Sequence, residues 1–284
     1  MRAQVVVTTY EQPRALGLVL AALERQTVRD FGLIVADDGS GPATRERIER
    51  HARATGREII HVWQPNRGFR KCRSLNRAIA AATAELLVFL DGDALPRRDF
   101  LAEHLRLARP GRYLAGRLVR LGREVSDAMS EDDVASGRFE GRRFLWRAAR
   151  RGQILQKAHY AFVPAWLGRA ALRRDGGSWT GANGSAFRSD VLAVNGFDER
   201  MGYGWEDTDF GQRLGLAGVA RISVRYSALA FHLDHDRPWR DEAAMARHRA
   251  LMEESLRAGL SRCYHGVDRL AETAEPEARI DRWP

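Results

Sequence analysis

Four short polar stretches each follow an apolar run: Thr8-Thr9-Tyr10, Asp37-Asp38-Gly39-Ser40, Asn66-Arg67-Gly68 and Asp91-Gly92-Asp93. Together they offer hydroxyls, an aromatic face, carboxylates and a cation. That set suits a nucleotide: a carboxylate for base or ribose, an arginine for phosphate, a ring for the base. Asp91 and Asp93 sit directly against "LLVFL", where charges need partners. They either cap the next helix or hold something positive. There is no GxGxxG after the first strand and no GxxxxGK[ST] anywhere, so the two familiar glycine-rich phosphate loops are excluded. A divalent metal on Asp91 or Asp93 would neutralise a diphosphate instead, and hard oxygen ligands suit Mg2+ or Mn2+.

The elements that must position these residues alternate. "AQVVVTT" (3–9), "FGLIVAD" (31–37), "EIIHVWQ" (58–64) and "ELLVFLD" (85–91) read as strands. Helical patterns follow at 13–26, after the turn at Asp38, over "FRKCRSLNRAIAAAT", and at 96–108 with Pro96 at the helix start. Strands alternating with such helices predict an α/β fold with a mostly parallel central sheet flanked by helices. Ligands then gather at the carboxyl ends of the strands, which puts all four polar stretches on one rim.

A single domain is expected. Residues 1–120 would be its nucleotide-binding half, 120–175 a charged helical insertion or lid, and 176–240 its acceptor and catalytic half. Residues 241–284 would add a helical tail. The net charge of +9, mostly arginine, favours anionic partners, although a biased composition explains it equally. No nucleic-acid-binding motif is present, so nucleic acid is not expected as a partner. Cys72 and Cys263 are far apart with no CxxC, which excludes a cysteine zinc cluster and suggests a reducing compartment. The apolar N-terminal run is too brief for a signal peptide, and no segment reaches the ~18 apolar residues of a membrane span. A cytoplasmic protein with at most peripheral membrane contact is expected.

"VVVTTYEQP", "VADDGS", "NRGFRKCRSLNRAI", "VFLDGD", "TGANGSAFRSDVLAVNGFDE", "GYGWEDTDFGQRL" and "FHLDH" occur in this order. The set resembles a family 2 glycosyltransferase of GT-A fold. Its second half is similar to the galactosyltransferase-like module of chondroitin-polymerase and β-1,4-galactosyltransferase types. The resemblance covers residues 3 to about 235. It implies inverting sugar transfer from a nucleotide-diphosphate donor, usually UDP-linked, to a glycan or lipid-linked acceptor, with Mn2+ or Mg2+. By the same resemblance Thr8 and Tyr10 would line the uracil pocket, and Asp38, or its neighbour Asp37, would bind uracil or ribose. Asp93 would be the direct metal ligand and Asp91 would touch ribose or the metal's water shell. Many family members carry an arginine where this chain has Leu75, so the diphosphate contact would pass to Arg67, Arg70, Lys71 or Arg73.

In "GYGWEDTDFGQRL", Glu206, Asp207 and Asp209 fall in a helix's first turn, where the dipole favours acids, and Asp209 is spaced to pair with Arg213. Three carboxylates beside Tyr203 and Trp205 exceed what a cap needs: rings stack on sugar faces and carboxylates bind sugar hydroxyls. The resemblance makes Asp207 the general base, with Glu206 a sugar ligand or the alternative base. In "FHLDHDRPW", His232 is expected as the second protein metal ligand, ahead of His235. Gly181 and Asn183 are expected under the donor sugar. The rival readings are a sugar nucleotidyltransferase, which would release pyrophosphate, and a non-catalytic nucleotide-, nucleic-acid- or carbohydrate-binding protein.

Overall fold

The four apolar runs form adjacent parallel strands, β1 (Ala3–Thr9), β2 (Gly32–Asp37), β3 (Ile59–Trp63) and β4 (Leu86–Asp91), in the spatial order β4-β1-β2-β3. The computed structural model describes residues 2–163, 167, 178–236 and 238–284. Both sheet faces are covered, so apolar residues run continuously along each strand rather than alternating with polar ones. Val5, Val7, Val88 and Leu90 face α1 (Pro13–Leu23), α2 (Pro42–Thr55) and α4 (Phe100–Leu107). Val6, Leu87 and Phe89 face α3 (Lys71–Ala81), α9 (Arg188–Ala193) and α10 (Glu206–Leu216). Proline stands in the first turn of α1 and of α2, where its missing N–H costs nothing, and Gly56 closes α2 at φ 66°.

Register fixes the rim. Thr8 lies opposite Asp91, and Thr9 opposite Asp37, so β1, β2 and β4 end at one level. The sheet is completed by β6 (Arg112–Ala115), β9 (Gly184–Phe187), β10 (Ala220–Ser223) and β12 (Arg279–Trp283), in the order β10-β6-β9-β4-β1-β2-β3-β12. The strand β9 is antiparallel to both its neighbours. A second sheet of four strands, β5 (Ala94–Pro96), β11 (Ala230–His232), β7 (Leu118–Leu121) and β8 (Ile154–Gln156), leaves the first directly after Asp93. It sets His232 opposite Ala94 on one side and Arg120 on the other.

Three expectations need correction. Pro96 does not start a helix: it ends β5, which pairs with a strand some 130 residues away, and α4 begins at Phe100. The stretch 120–175 is not wholly helical, because β7 and β8 lie at either end of the short helices α5 (Arg123–Ala128), α6 (Glu131–Ala135) and α7 (Arg142–Arg150), followed by α8 (Ala158–Phe162). Val134, Phe139 and Leu145 pack into the first core, with Phe139 edge-on to Phe231 at 5.7 Å. Trp166, in the same stretch, lies outside the described residues. The tail is α-helical only over α11 (Glu242–Arg257), with a single 3-10 turn at Val267–Arg269. Its end, "RIDRW", becomes β12 and pairs antiparallel with the edge of β3, an edge that would otherwise expose unpaired backbone groups. Among the described residues no helix is long and apolar enough to cross a membrane.

Candidate active site

A cavity of about 630 Å³ opens at the carboxyl ends of β1 and β4. Thr8, Tyr10, Asp38, Asn66, Lys71, Asp91, Asp93, Tyr203, Trp205, Glu206, Asp207, His232 and His235 all reach it. The predicted rim therefore gathers residues from both halves of the chain.

On the β1–β3 side, Asp38 accepts from the Arg70 amide and from the Gln64 side-chain amide, both at 2.6 Å. Burial pushes the Asp38 carboxyl up to about 6 despite these donors. Asn66 donates to the Tyr10 hydroxyl at 2.9 Å, holding the ring at the cavity edge. Asp37 does not line the cavity. It is buried, accepts from the Ser40 amide at 2.8 Å and lies 2.9 Å from His61 Nε2, which makes it the keystone of the turn that presents Asp38. Asp91 accepts from the Thr8 hydroxyl and the Lys71 ammonium, each at 2.8 Å. Gly92 cannot be enlarged, since a methyl group there would lie 2.6 Å from the Thr8 carbonyl oxygen.

The basic residues divide. Burial works against the Lys71 ammonium, but Asp91, Asp207 and Glu206 around it outweigh that and raise its pKa. Arg67 and Arg70 are outside the cavity lining and meet Glu275 of the tail at 3.3 and 2.6 Å. Arg73 meets Glu199 at 2.9 Å. Leu75, at the position where a family arginine was expected, is buried in the second core, and Ser74 faces the cavity instead.

On the other wall Asp93 meets both histidines. Its Oδ2 lies 2.7 Å from His235 Nε2 and 3.5 Å from His232 Nε2. One donor atom from each of the three residues falls within 4.8 Å of the others. Burial opposes the Asp93 charge, but His235, His232 and Lys71 overcome it and lower the pKa. The other carboxylate oxygen, Oδ1, is buried with no hydrogen-bond partner. A carboxylate and two imidazoles, with one buried oxygen left over, fit a divalent transition metal better than Mg2+, which favours oxygen ligands. The two histidines thus converge together, rather than His232 alone.

The acidic pair opens α10. Trp205, directly before it, has φ 73°, and Gly204 has φ 92°. Such a non-glycine left-handed residue is uncommon and marks a functional constraint. His248 of α11 braces this loop, accepting from the Gly202 amide at 3.1 Å and lying 3.2 Å from the Tyr203 carbonyl. Asp207 Oδ2 accepts from the Gly181 amide at 2.8 Å, while Oδ1 is buried without a partner. Burial raises the Asp207 pKa, Lys71 counteracting and Asp91 adding to the rise. Burial and then Asp207 push Glu206 to about 7. Asp209 is a structural acid: it is buried and paired with Arg213 at 2.7 Å, and Arg213 also donates to the Val194 and Gly196 carbonyls.

Gly181 and Asn183 lie behind the cavity wall rather than on it. Gly181 leaves room for Asp207, since a methyl group there would sit 2.6 Å from Oδ1. Asn183 is fully buried, donates to the Arg117 and Ala228 carbonyls and lies 3.1 Å from His104 Nε2. Thr180 and Ala182 face the cavity in their place. The sequence reading missed Phe69, Arg120 and Trp239. Phe69 packs edge-on to Tyr203 at 5.7 Å and lies 6.3 Å from Trp239, forming one aromatic wall. The signal for Trp239 was present in "RPW" beside His235; Arg120 had none.

Residues 4–176 match the family described as Glycosyl transferase family 2, and residues 170–236 match the N-terminal domain of galactosyltransferase. A validoxylamine A glucosyltransferase from Streptomyces hygroscopicus subsp. jinggangensis is 28% identical over 82% of this chain and 56% of its own length. The chondroitin synthase of Escherichia coli is 25% identical over 80% of this chain and 34% of its own. This chain thus spans about half or less of these relatives. Among solved structures, the mannosyltransferase PcManGT from Pyrobaculum calidifontis, in complex with GDP-Man and Mn2+, aligns with TM-score 0.59 and 19% identity over 90% of this chain and 64% of that one. S. aureus TarS 1-349 in complex with UDP-GlcNAc aligns with TM-score 0.60 and 14% identity over 90% of this chain and 66% of that one.

Proposed function

The chain belongs to glycosyl transferase family 2 and has the GT-A fold, and from that premise we propose that it is an inverting, metal-dependent hexosyltransferase. The donor is a nucleotide-diphosphate sugar, UDP-linked on our reading, and the acceptor is a glycan or lipid-linked glycan hydroxyl. The observation that carries this is Asp207: one oxygen is fixed by the Gly181 amide, and the other is buried in the cavity without a partner. A buried carboxylate with a raised pKa and one open lone pair is suited to take a proton.

In the proposed reaction the acceptor hydroxyl gives its proton to Asp207 as its oxygen bonds the anomeric carbon. The bond from that carbon to the diphosphate oxygen breaks on the opposite face, so the centre inverts. Asp38, Thr8 and Tyr10 orient the nucleoside, with Asp38 accepting from base or ribose. Lys71 keeps Asp91, Glu206 and Asp207 tolerable in one buried space and supplies fixed positive charge beside the diphosphate. Tyr203, with Trp205 beside it, offers faces for sugar rings, and Glu206 accepts from sugar hydroxyls. Asp93, His232 and His235 would hold Mn2+ in preference to Mg2+; when bound, it supplies positive charge to the leaving diphosphate.

A panel of nucleotide sugars with Mn2+, scored for nucleoside diphosphate release with and without glycan acceptors, identifies the donor. With that donor, Asp207→Asn is expected to lower kcat by roughly 10²–10⁴-fold. A rate within a few-fold of wild type sinks the base assignment, and release of pyrophosphate sinks the transfer reading itself.

A further inference from the structure

Arg117, Arg120 and Lys157 lie together on the second sheet, next to the Asp93–His232 wall. Register brings them there. Arg120 stands opposite His232 of β11 on one side and Gln156 of β8 on the other. Arg117 immediately precedes β7, and Lys157 immediately follows β8. Leu118 and Arg120 alternate onto the cavity face, while Arg117 and Lys157 lie outside the cavity lining. The positive charge therefore begins on the cavity wall and continues beyond it.

No ion-pair partner exists for any of the three among the described residues. Their mutual proximity is felt: burial first, then the charges of Arg117 and Arg120, lower the Lys157 pKa. Like charges held together with no counter-charge among the described residues oppose folding, so such a cluster suits an added anion. The donor's diphosphate is not the natural candidate. It is expected at the metal ligands Asp93, His232 and His235, which of the three cations only Arg120 borders, whereas Arg117 and Lys157 lie outside the cavity lining. An acceptor whose terminal sugar enters while the rest trails out would pass them.

We propose that Arg117, Arg120 and Lys157 form an acceptor subsite for an oxyanion, so that the acceptor is an anionic saccharide bearing a carboxylate or a phosphate near the accepting sugar. This inference rests on the reading of the chain as a glycosyltransferase. Carboxylate and phosphate share the recognition chemistry, a pair of oxygens facing guanidinium and ammonium donors.

Binding measured by calorimetry tests it without turnover. The probes are a uronic-acid-containing oligosaccharide, its carboxyl-reduced neutral form, and a phosphodiester-linked oligosaccharide, each added to the full chain with UDP and Mn2+. At least one anionic probe is expected to bind about tenfold or more tightly than the neutral one, a preference that shrinks with added salt. The stronger anionic probe identifies the oxyanion. The double substitution R117Q with K157Q, both outside the cavity lining, should erase the preference while UDP affinity stays unchanged. Should that pair fail to fold, the charge-keeping R120K must retain the preference and R117Q must reduce it. Equal or absent preference in the wild type overturns the proposal. So does a loss of UDP affinity in the variants as large as the loss of saccharide affinity, which would return the cations to the donor. Asp207→Asn keeps the preference if the subsite is real. A protein that prefers anions but transfers nothing therefore refutes the transfer reading alone.

Discussion

Two sets of cations flank the cavity and meet opposite fates. On the nucleotide side, Arg67 and Arg70 converge on Glu275 of the tail, and Arg73 is tied to Glu199 and to the Thr273 hydroxyl. On the side of the second sheet, Arg117, Arg120 and Lys157 have no ion-pair partner among the described residues. The carboxylates divide in the same way. Asp37 is matched by His61 and the Ser40 amide, and Asp209 by Arg213. Asp93 and Asp207 each keep one buried oxygen without a partner. Matched charges hold the scaffold in place, and unmatched ones in the same cavity are the groups left for ligands. Residue type does not separate the two classes; partnership does.

The largest expected effect lies at the carboxylates. Asp93→Ala, or removal of the metal by a chelator, is expected to lower turnover by roughly 10³-fold, the size of several kcal/mol of lost charge stabilisation. Mn2+ affinity, followed by electron paramagnetic resonance, should fall with it, and the metal-free protein should also melt lower, because His232 and His235 lose the buried carboxylate they meet. Turnover that survives Asp93→Ala without metal dependence would remove the metal from the mechanism.

Glu275→Gln probes the matched set. It withdraws the carboxylate from Arg67 and Arg70, and about 1–2 kcal/mol of stability should go with it, given how much of this cluster meets solvent. Denaturant unfolding measures that loss. Because these arginines belong to the scaffold, UDP affinity of the folded variant should change by less than about threefold, under 1 kcal/mol. A drop of tenfold or more would place Arg67 or Arg70 among the ligand-binding groups and erase the contrast with Arg120.

What the sequence revealed follows the same division. The rim was legible because each of its members ends a strand of a parallel sheet, and that rule needs only local pattern. Thr8, Asp38, Asp91 and Asp93 come from such ends, and the acidic pair announces itself by crowding three carboxylates beside two rings. Three kinds of fact were not legible. Pairings between distant segments, such as β5 with β11 and β12 with β3, decide that Pro96 ends a strand and that the tail supplies an edge. Partnership at long separation decides that Arg70 belongs to Glu275, 205 residues on. Side-chain direction decides that Arg120 faces the cavity, whereas Asn183 is sealed in a network with His104.

The smallest effect tests the nucleotide side at its one carboxylate left with a raised pKa. Burial pushes Asp38 from 3.8 up to about 6, and a carboxyl group accepts from base or ribose most strongly when ionised. Uridine is the probe of choice because it lacks phosphates, so His232 and His235 have no part in its binding. With a pKa of about 6, its Kd should rise by up to about fourfold between pH 7.5 and pH 5.5. Unfolding cannot mimic this through Asp38. A folded pKa above the unfolded value means that Asp38 favours the fold below about pH 4 and that this contribution is lost as pH rises through about 6. Acidification over this window therefore tightens the fold at Asp38 while it weakens the ligand. Asp38→Asn should flatten the profile, and a wild-type Kd that is the same at both pH values would take Asp38 out of the nucleoside pocket.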